Sequence, residues 1–404
     1  MIKQINFFIK NIARTFFEVL ISVITIRDKN IVVMGLRTPI TKLKKNSKDY
    51  FMHNTKYIFL CQPELLGLKI VYLCDDKNII DTLRKSGFKN IYRRNSIKGF
   101  YYTLRAKYWL YDDSKKGVFN HILSGGATCI NLWHGVPLKK IGFDITGNYK
   151  NYNKFQKCIH DLLRPKDSFY NVNSEYEQSC YETAFLTAKD NIKILGSPRL
   201  DVLLHDIPHS DLFMEDDFAK IKSFKEQGKN VIFYTPTFRD TGKDISSWLK
   251  ADRLKEFLKQ NNAILVCKLH FADKNSLDFE LTEEFYKMDS NSDIYPVLKY
   301  SDALISDYSS IAFDYLLLDK SIIYHVPDLQ EYQDTCRGFY MPYEEFAVGE
   351  ITRNEEEILS AMKKVIDGVD NYKEQRKVLR DRMFKYQDGR NCERVVEWIK
   401  SLDK

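Results

Sequence analysis

Ser301-Asp302-Ala303-Leu304-Ile305-Ser306-Asp307-Tyr308-Ser309-Ser310-Ile311-Ala312-Phe313-Asp314-Tyr315 reads as a short buried strand, a small polar turn and the start of an amphipathic helix. The first N–H groups of a helix have no partner within it, and they gather at the positive end of its dipole. Ser309 and Ser310 therefore stand where a phosphate or diphosphate binds well, with Asp307 one turn earlier. The same residues also serve as ordinary N-caps.

Outward from this stretch, apolar strands alternate with helical segments. The first half offers strands at Asn30–Gly35, Lys69–Leu73, Tyr108–Tyr111, Thr128–Leu132, Phe169–Val172 and Ile192–Leu195. Helical spacing falls at Asn78–Ser86 and Glu175–Ala184. The second half offers strands at Asn230–Tyr234, Ala263–Lys268, Ala303–Ile305 and Ser321–Tyr324. Its helices fall at Trp248–Leu258, Ile311–Leu318 and Glu355–Val365. This alternation implies α/β architecture with parallel sheets covered on both faces. The expected layout is two doubly wound domains, residues 29–200 and 201–385, facing each other across a cleft. A last helical segment, 386–404, returns to the first domain.

The bulk composition fits large cores. Of 404 residues, 44% are hydrophobic and 14% aromatic, and the net charge is +7. A mild positive balance suits a phosphate-rich ligand or an anionic membrane surface without demanding nucleic acid. The eight cysteines form no CxxC pair and read as small buried hydrophobes in a reducing compartment. No metal site is expected. The phosphate loop GxxxxGK[ST], HExxH and GxSxG are all absent.

Residues 1–28 read as a greasy amphipathic helix. Lys3, Asn6, Lys10, Arg14, Glu18 and Ser22 recur about one turn apart on it. No run approaches the ~20 apolar residues needed to span a bilayer. An in-plane helix on a membrane surface and a helix packed on the domain behind it both fit this pattern.

Groups suited to chemistry collect after strands. Trp133-His134-Gly135 follows Thr128–Leu132, and His134 there suits a general base. Gly135 permits close approach of backbone or substrate. Lys268 and His270 share one face of an extended segment and suit an oxyanion or phosphate. Arg239, in Pro236-Thr237-Phe238-Arg239, offers a fork for phosphate, and Thr237 a hydroxyl. Asp328, Tyr332 and Arg337-Gly338-Phe339-Tyr340 are placed to line a cleft rim.

In this order the motifs resemble the CDP-glycerol glycerophosphotransferase family of teichoic-acid and capsule polymerases. The matching pieces are Trp133-His134-Gly135 with Lys139 and Gly142, Gly196-Ser197-Pro198-Arg199-Leu200-Asp201, Pro236-Thr237-Phe238-Arg239 and Lys268-Leu269-His270. They continue with Ser301–Ser310, Phe313-Asp314-Tyr315, Asp328, Tyr332, Arg337-Gly338 and Asp388-Gly389. Asn54-Thr55-Lys56-Tyr57 fits the family's earlier pattern weakly. The resemblance implies a GT-B-like pair of Rossmann-type domains. It implies a CDP-activated polyol donor on the C-terminal side and a lipid-linked or polyol-phosphate acceptor on the N-terminal side. It implies work at the cytoplasmic face of the membrane. From the residues themselves, with no Asp-x-Asp pair at a strand end, no cofactor and no metal are expected.

Carried over, His134 is the base and His270 the second essential histidine. Ser309 and Ser310 match the phosphate-binding serines and Arg239 the family's Pro-Thr-aromatic-Arg motif; from their own placement Lys268, Thr237 and Asp307 are expected to join them at the donor diphosphate. Trp133, Gly135, Lys139 and Arg337 support the acceptor side. Lys268 and Phe271 depart from the family's Arg-x-His-Pro, and Ser306 stands where Thr is usual. A CDP-ribitol transferase, a nucleotide-sugar glycosyltransferase and a non-catalytic membrane partner are the rival expectations.

Overall fold

The computed structural model describes residues 13, 15–35, 50–61, 67–113, 121–146, 151–154, 157, 167–237, 239, 247–250, 252–269 and 283–402. His270 and Phe271 lie outside the described residues, as do Lys3, Asn6, Lys10, Arg14, Cys158 and Phe238.

Strands β1 (Asp28–Gly35), β2 (Lys69–Leu73), β3 (Ile91–Tyr92), β4 (Ala106–Tyr111), β5 (Thr128–Asn131), β6 (Phe169–Val172) and β7 (Ile192–Ile194) form one parallel sheet in the order 3-2-1-4-5-6-7. Strands β8 (Asn230–Tyr234), β9 (Ala263–Cys267), β10 (Phe285–Lys287), β11 (Ala303–Ser306), β12 (Ser321–His325) and β13 (Glu350–Thr352) form a second, in the order 10-9-8-11-12-13. Renumbered from its own first strand, the second sheet reads 3-2-1-4-5-6, the doubly wound order of dinucleotide folds. In each sheet the strand order reverses between the first and fourth strands.

The strands form because their residues are apolar on both faces. Val32, Val33 and Met34 of β1 and Ile232 and Phe233 of β8 are all buried. Helices start where a side chain satisfies free N–H groups. Asp76, Ser96, Ser174 and Asn354 each cap the helix that follows them. The final helix, Asn391–Ser401, receives its cap from a distance: the Asp201 carboxylate accepts from Asn391 N at 3.0 Å and Cys392 N at 2.8 Å. Its Val395, Val396 and Ile399 pack with Val32, Tyr72 and Ile130 in the core of the first sheet.

Most expected strands and helices are found with edges moved by one or two residues; Trp248–Leu258 instead divides into a 3₁₀ turn, Ser247–Lys250, and a helix, Asp252–Gln260. Three short edge strands, β3, β10 and β13, escape the sequence reading because two or three residues display no periodicity. A helix, Glu215–Glu226, opens the second half ahead of β8. Ile311–Leu318 is a short helix, Ile311–Tyr315, tightening into a 3₁₀ turn at Leu316–Leu318.

The halves interlock. Val136 and Leu138, from the loop after β5, are buried in the second sheet's core. Lys140 N donates to Gly338 O at 2.9 Å and Tyr340 N to Leu138 O at 2.8 Å. Lys56 Nζ, on the His53–Leu60 helix, reaches Asp293 Oδ2 at 2.9 Å.

Candidate active site

A cavity of about 1030 Å³ is lined from both halves. His134 and Lys139 face it from the first, and Thr237, Ser309, Ser310 and Arg337 from the second. The halves approach closely here: a Cβ added to Gly135 would lie 2.8 Å from Ser310 Oγ. Glycine at 135 is what lets the histidine loop meet the serine turn.

His134 is held by its backbone surroundings. Trp133 sits at φ +52, a conformation that costs a non-glycine residue energy. Asn54 pins that turn, with Nδ2 donating to Leu132 O at 3.1 Å and Trp133 O at 2.8 Å. The Trp133 and His134 rings stack at 4.6 Å. His134 Nδ1 lies 2.9 Å from Asp112 O. A carbonyl only accepts, so Nδ1 carries the proton, and the neutral ring keeps its lone pair on Nε2. Asp112 is itself fixed by Thr55, whose N–H and hydroxyl both donate to the carboxylate. Burial pushes the Asp112 carboxyl up to about 7 despite those bonds.

On the second side the strand-order reversal lies between β8 and β11. Thr237 follows one and Asp307 the other. Thr237 N and Oγ1 donate to the Asp307 carboxylate at 2.9 and 2.7 Å. Arg239 joins them, but not as a free fork. Its Nη1 donates to Asp307 Oδ2 at 2.8 Å and to Thr237 O at 2.7 Å. Its Nε and Nη2 donate to Asp328 at 2.7 and 3.2 Å. The guanidinium also lies over the rings of Tyr308 and Tyr332, which stack at 3.8 Å. Burial opposes its charge, but Asp307 and Asp328 override that and hold it cationic. Arg239 lines the cavity, but the fork expected of it is largely engaged within the protein. Most of its donors are consumed in shaping the loop, because two buried carboxylates need them. Asp307 is likewise a hub, taking its donors mainly from the loop that follows β8.

Lys268 likewise has acceptors within the protein. It does not line the cavity, and its Nζ donates to Ser290 O at 2.9 Å. Burial lowers its ammonium to about 8. The physical reason is the end of β9 at Cys267, after which the side chain turns toward the 289–290 loop.

Ser309 and Ser310 keep hydroxyls with no hydrogen bond among the described residues. The helix behind them is only Ile311–Tyr315, so its dipole is small and the hydroxyls matter more. Lys139 Nζ donates to Tyr332 OH at 3.2 Å. Burial lowers Lys139 to about 8; Asp307 opposes the fall, while Arg337 and Arg239 add to it. Arg337 is exposed at the rim with no ion-pair partner among the described residues.

Sequence reasoning missed a buried ion pair beneath this site. Arg199 Nη2 donates to both Asp314 oxygens at 2.9 Å, and neither side chain has any exposure. Asp314 lies four residues after Ser310. The available signal was a lone carboxylate among Ala312, Phe313 and Tyr315, on a face with no water to solvate it.

Two doubly wound sheets meeting at a cavity of hydroxyls, a histidine and cations define an α/β protein shaped to hold an anionic ligand between its halves. The chain belongs to the CDP-Glycerol:Poly(glycerophosphate) glycerophosphotransferase family, whose model matches residues 36–401. It is 31% identical over 363 residues to the teichoic acid ribitol-phosphate polymerase TarL of Staphylococcus aureus (strain NCTC 8325 / PS 47). That match covers 87% of this chain and 60% of TarL, so the chain spans under two thirds of that relative. It is 29% identical over 338 residues to a teichoic acid glycerol-phosphate transferase of the same strain, covering 78% of this chain and 83% of the relative. In fold it is similar to the wall teichoic acid polymerase TagF, with a TM-score of 0.71, 21% identity and coverage of 99% and 98% of the two chains.

Proposed function

We propose that this chain moves glycerol phosphate from CDP-glycerol to a hydroxyl of a lipid-linked or polyol-phosphate acceptor in teichoic-acid-like polymer synthesis. The acceptor oxygen attacks the β-phosphorus. The bond from that phosphorus to the bridging oxygen breaks, CMP leaves, and a phosphodiester forms. His134 Nε2 takes the acceptor proton. The hydroxyls of Ser309, Ser310 and Thr237, with Lys139 and Arg337, bind and neutralise the diphosphate. His270 is assigned the leaving-group side. Arg239, Asp307 and Lys268 position loops around the donor. Positioning and fixed charge carry most of the catalysis in such transfers, and this reading asks for no metal. Turnover that survives a chelator agrees with it.

In this reading residues 29–200 serve the acceptor and 201–385 the donor. Residues 386–404 tie the two together, and residues 1–28 hold the enzyme to the cytoplasmic membrane face. The observation that carries the reading is the meeting of His134 with the Ser309-Ser310 turn across Gly135. Its test is His134→Ala. Turnover is lost by at least about 10²-fold, the usual worth of a general base, while CDP binding stays within threefold of the parent. Parent-like turnover removes His134 from the mechanism. CDP-ribitol is the second reading, favoured by the 31% identity to TarL.

A further inference from the structure

Large apolar side chains stand exposed in two places. Phe16, Phe17, Val23, Ile24 and Ile26 project from the segment 15–26, and Ile97, Phe100 and Tyr101 project from the helix Ile97–Arg105. Ile26 is 78% exposed and Ile97 91%. Outside these two segments the only exposed large apolar side chains among the described residues are Ile145, Val369 and Val378. Soluble surfaces rarely concentrate apolar residues without a partner to cover them.

The two segments are tied together where the helix ends. Arg105 Nη1 donates to Ile26 O at 2.5 Å, and Arg27 Nη1 donates to Thr103 O at 2.9 Å and Ala106 O at 3.0 Å. The backbone at Glu18 and Ser22 packs on Gly125, where an added Cβ would lie 1.8 Å from Glu18 O. The 15–24 helix thus packs along its Glu18–Ser22 line and leaves its bulky apolar residues outward.

The helix side of this surface is mainly cationic, with Arg94 paired to Asp75 at 3.4 Å. From Arg93 to Lys107 the chain carries Arg93, Arg94, Lys98, Arg105 and Lys107, with no Asp or Glu. Arg93 and Lys98 are exposed. Apolar side chains flanked by cations match a bilayer with anionic headgroups, where the first enter the acyl boundary and the second meet phosphates.

We infer that the Ile97–Arg105 helix is a second membrane foot, working with residues 16–26 to hold the enzyme on an anionic bilayer in one orientation. The inference rests on the peripheral-membrane reading above and adds the surface that fixes the angle. One foot leaves the molecule free to swivel, and two do not. Strand β4 leads from this foot to Asp112 beside His134, a distance of ~20 Å for its six residues.

The test is sedimentation of the full chain with phosphatidylcholine vesicles, with and without a quarter phosphatidylglycerol. Two variants accompany the parent: Ile97→Ser with Lys98→Glu and Phe100→Ser, and Val23→Ser with Ile24→Ser. All five side chains are exposed, so melting temperature and CMP release to a soluble acceptor stay unchanged. The parent binds the anionic vesicles, and each variant loses at least about tenfold in affinity, since each apolar side chain and cation adds its own factor. A parent that binds no vesicle ends the membrane reading itself. Loss confined to the Val23/Ile24 variant overturns the second foot and leaves the first. A parent dimer that the Ile97 variant dissociates, with vesicle binding unchanged, makes this face a contact between copies and also overturns the inference.

Discussion

Replacing Asp314 by alanine strands a buried cation. The Arg199 guanidinium has no exposure, and Asp314 supplies both oxygens that face its Nη2. Tyr295 is the remaining partner, accepting from Arg199 Nε at 3.0 Å and itself donating to Asp314 at 2.6 Å. Arg199 Nη1 already lacks a hydrogen bond. Burial opposes the guanidinium charge, and Asp314 with Tyr295 more than offsets that in the native protein. Removing one partner of such a pair costs about 3–5 kcal/mol, because the other charge stays buried and uncompensated. That is a large share of the about 5–15 kcal/mol that holds a typical domain folded.

Urea unfolding followed by circular dichroism measures it. With a slope of about 1–3 kcal/mol per molar, the midpoint falls by at least about 1 M. Asp206→Ala is the control: Asp206 pairs with Lys299 but is 92% exposed, and such pairs contribute under about 1 kcal/mol. The double change Arg199→Met with Asp314→Leu recovers most of the loss, since a well-packed apolar pair of similar volume replaces a buried ion pair at little cost. An Asp314→Ala shift no larger than that of Asp206→Ala refutes the reasoning.

Two further outcomes concern the cavity. Lys139 is charged below about 8 and neutral above it, so kcat/KM falls as pH rises through about 8. Lys139→Arg moves that fall upward; an unchanged profile removes Lys139 from donor binding. Gly135→Ala pushes the Ser310 hydroxyl from its place, raising KM for the donor severalfold with little change in melting temperature. Ser310→Ala and the double variant then match it, the non-additivity expected of groups in contact; additive losses contradict the proposed approach.

The double α/β winding was legible because β1, β8 and their neighbours are apolar on both faces, leaving long uninterrupted signals. The edge strands β3 and β13 gave no such signal, and their pairing is set by neighbours distant in sequence. At the site, His134, Thr237, Ser309 and Ser310 were found from their place after strands, and they do line one cavity. The buried acceptors of Arg239 and Lys268 are not legible for one reason: a cation after a strand looks alike whether it faces ligand or a buried acceptor. Only the fold brings Asp328 and the Ser290 carbonyl to them. The Asp112 carbonyl on His134 was invisible in principle, because a backbone acceptor carries no residue signature.

The central claim is phosphotransfer from a CDP-polyol, and CMP release from CDP-glycerol, CDP-ribitol and nucleotide sugars with a polyol-phosphate acceptor tests it most directly. The account predicts acceptor-dependent CMP from CDP-glycerol, with a new phosphodiester in the product. Silence with both CDP-polyols, together with nucleotide release from a sugar donor and a new glycosidic bond, contradicts it.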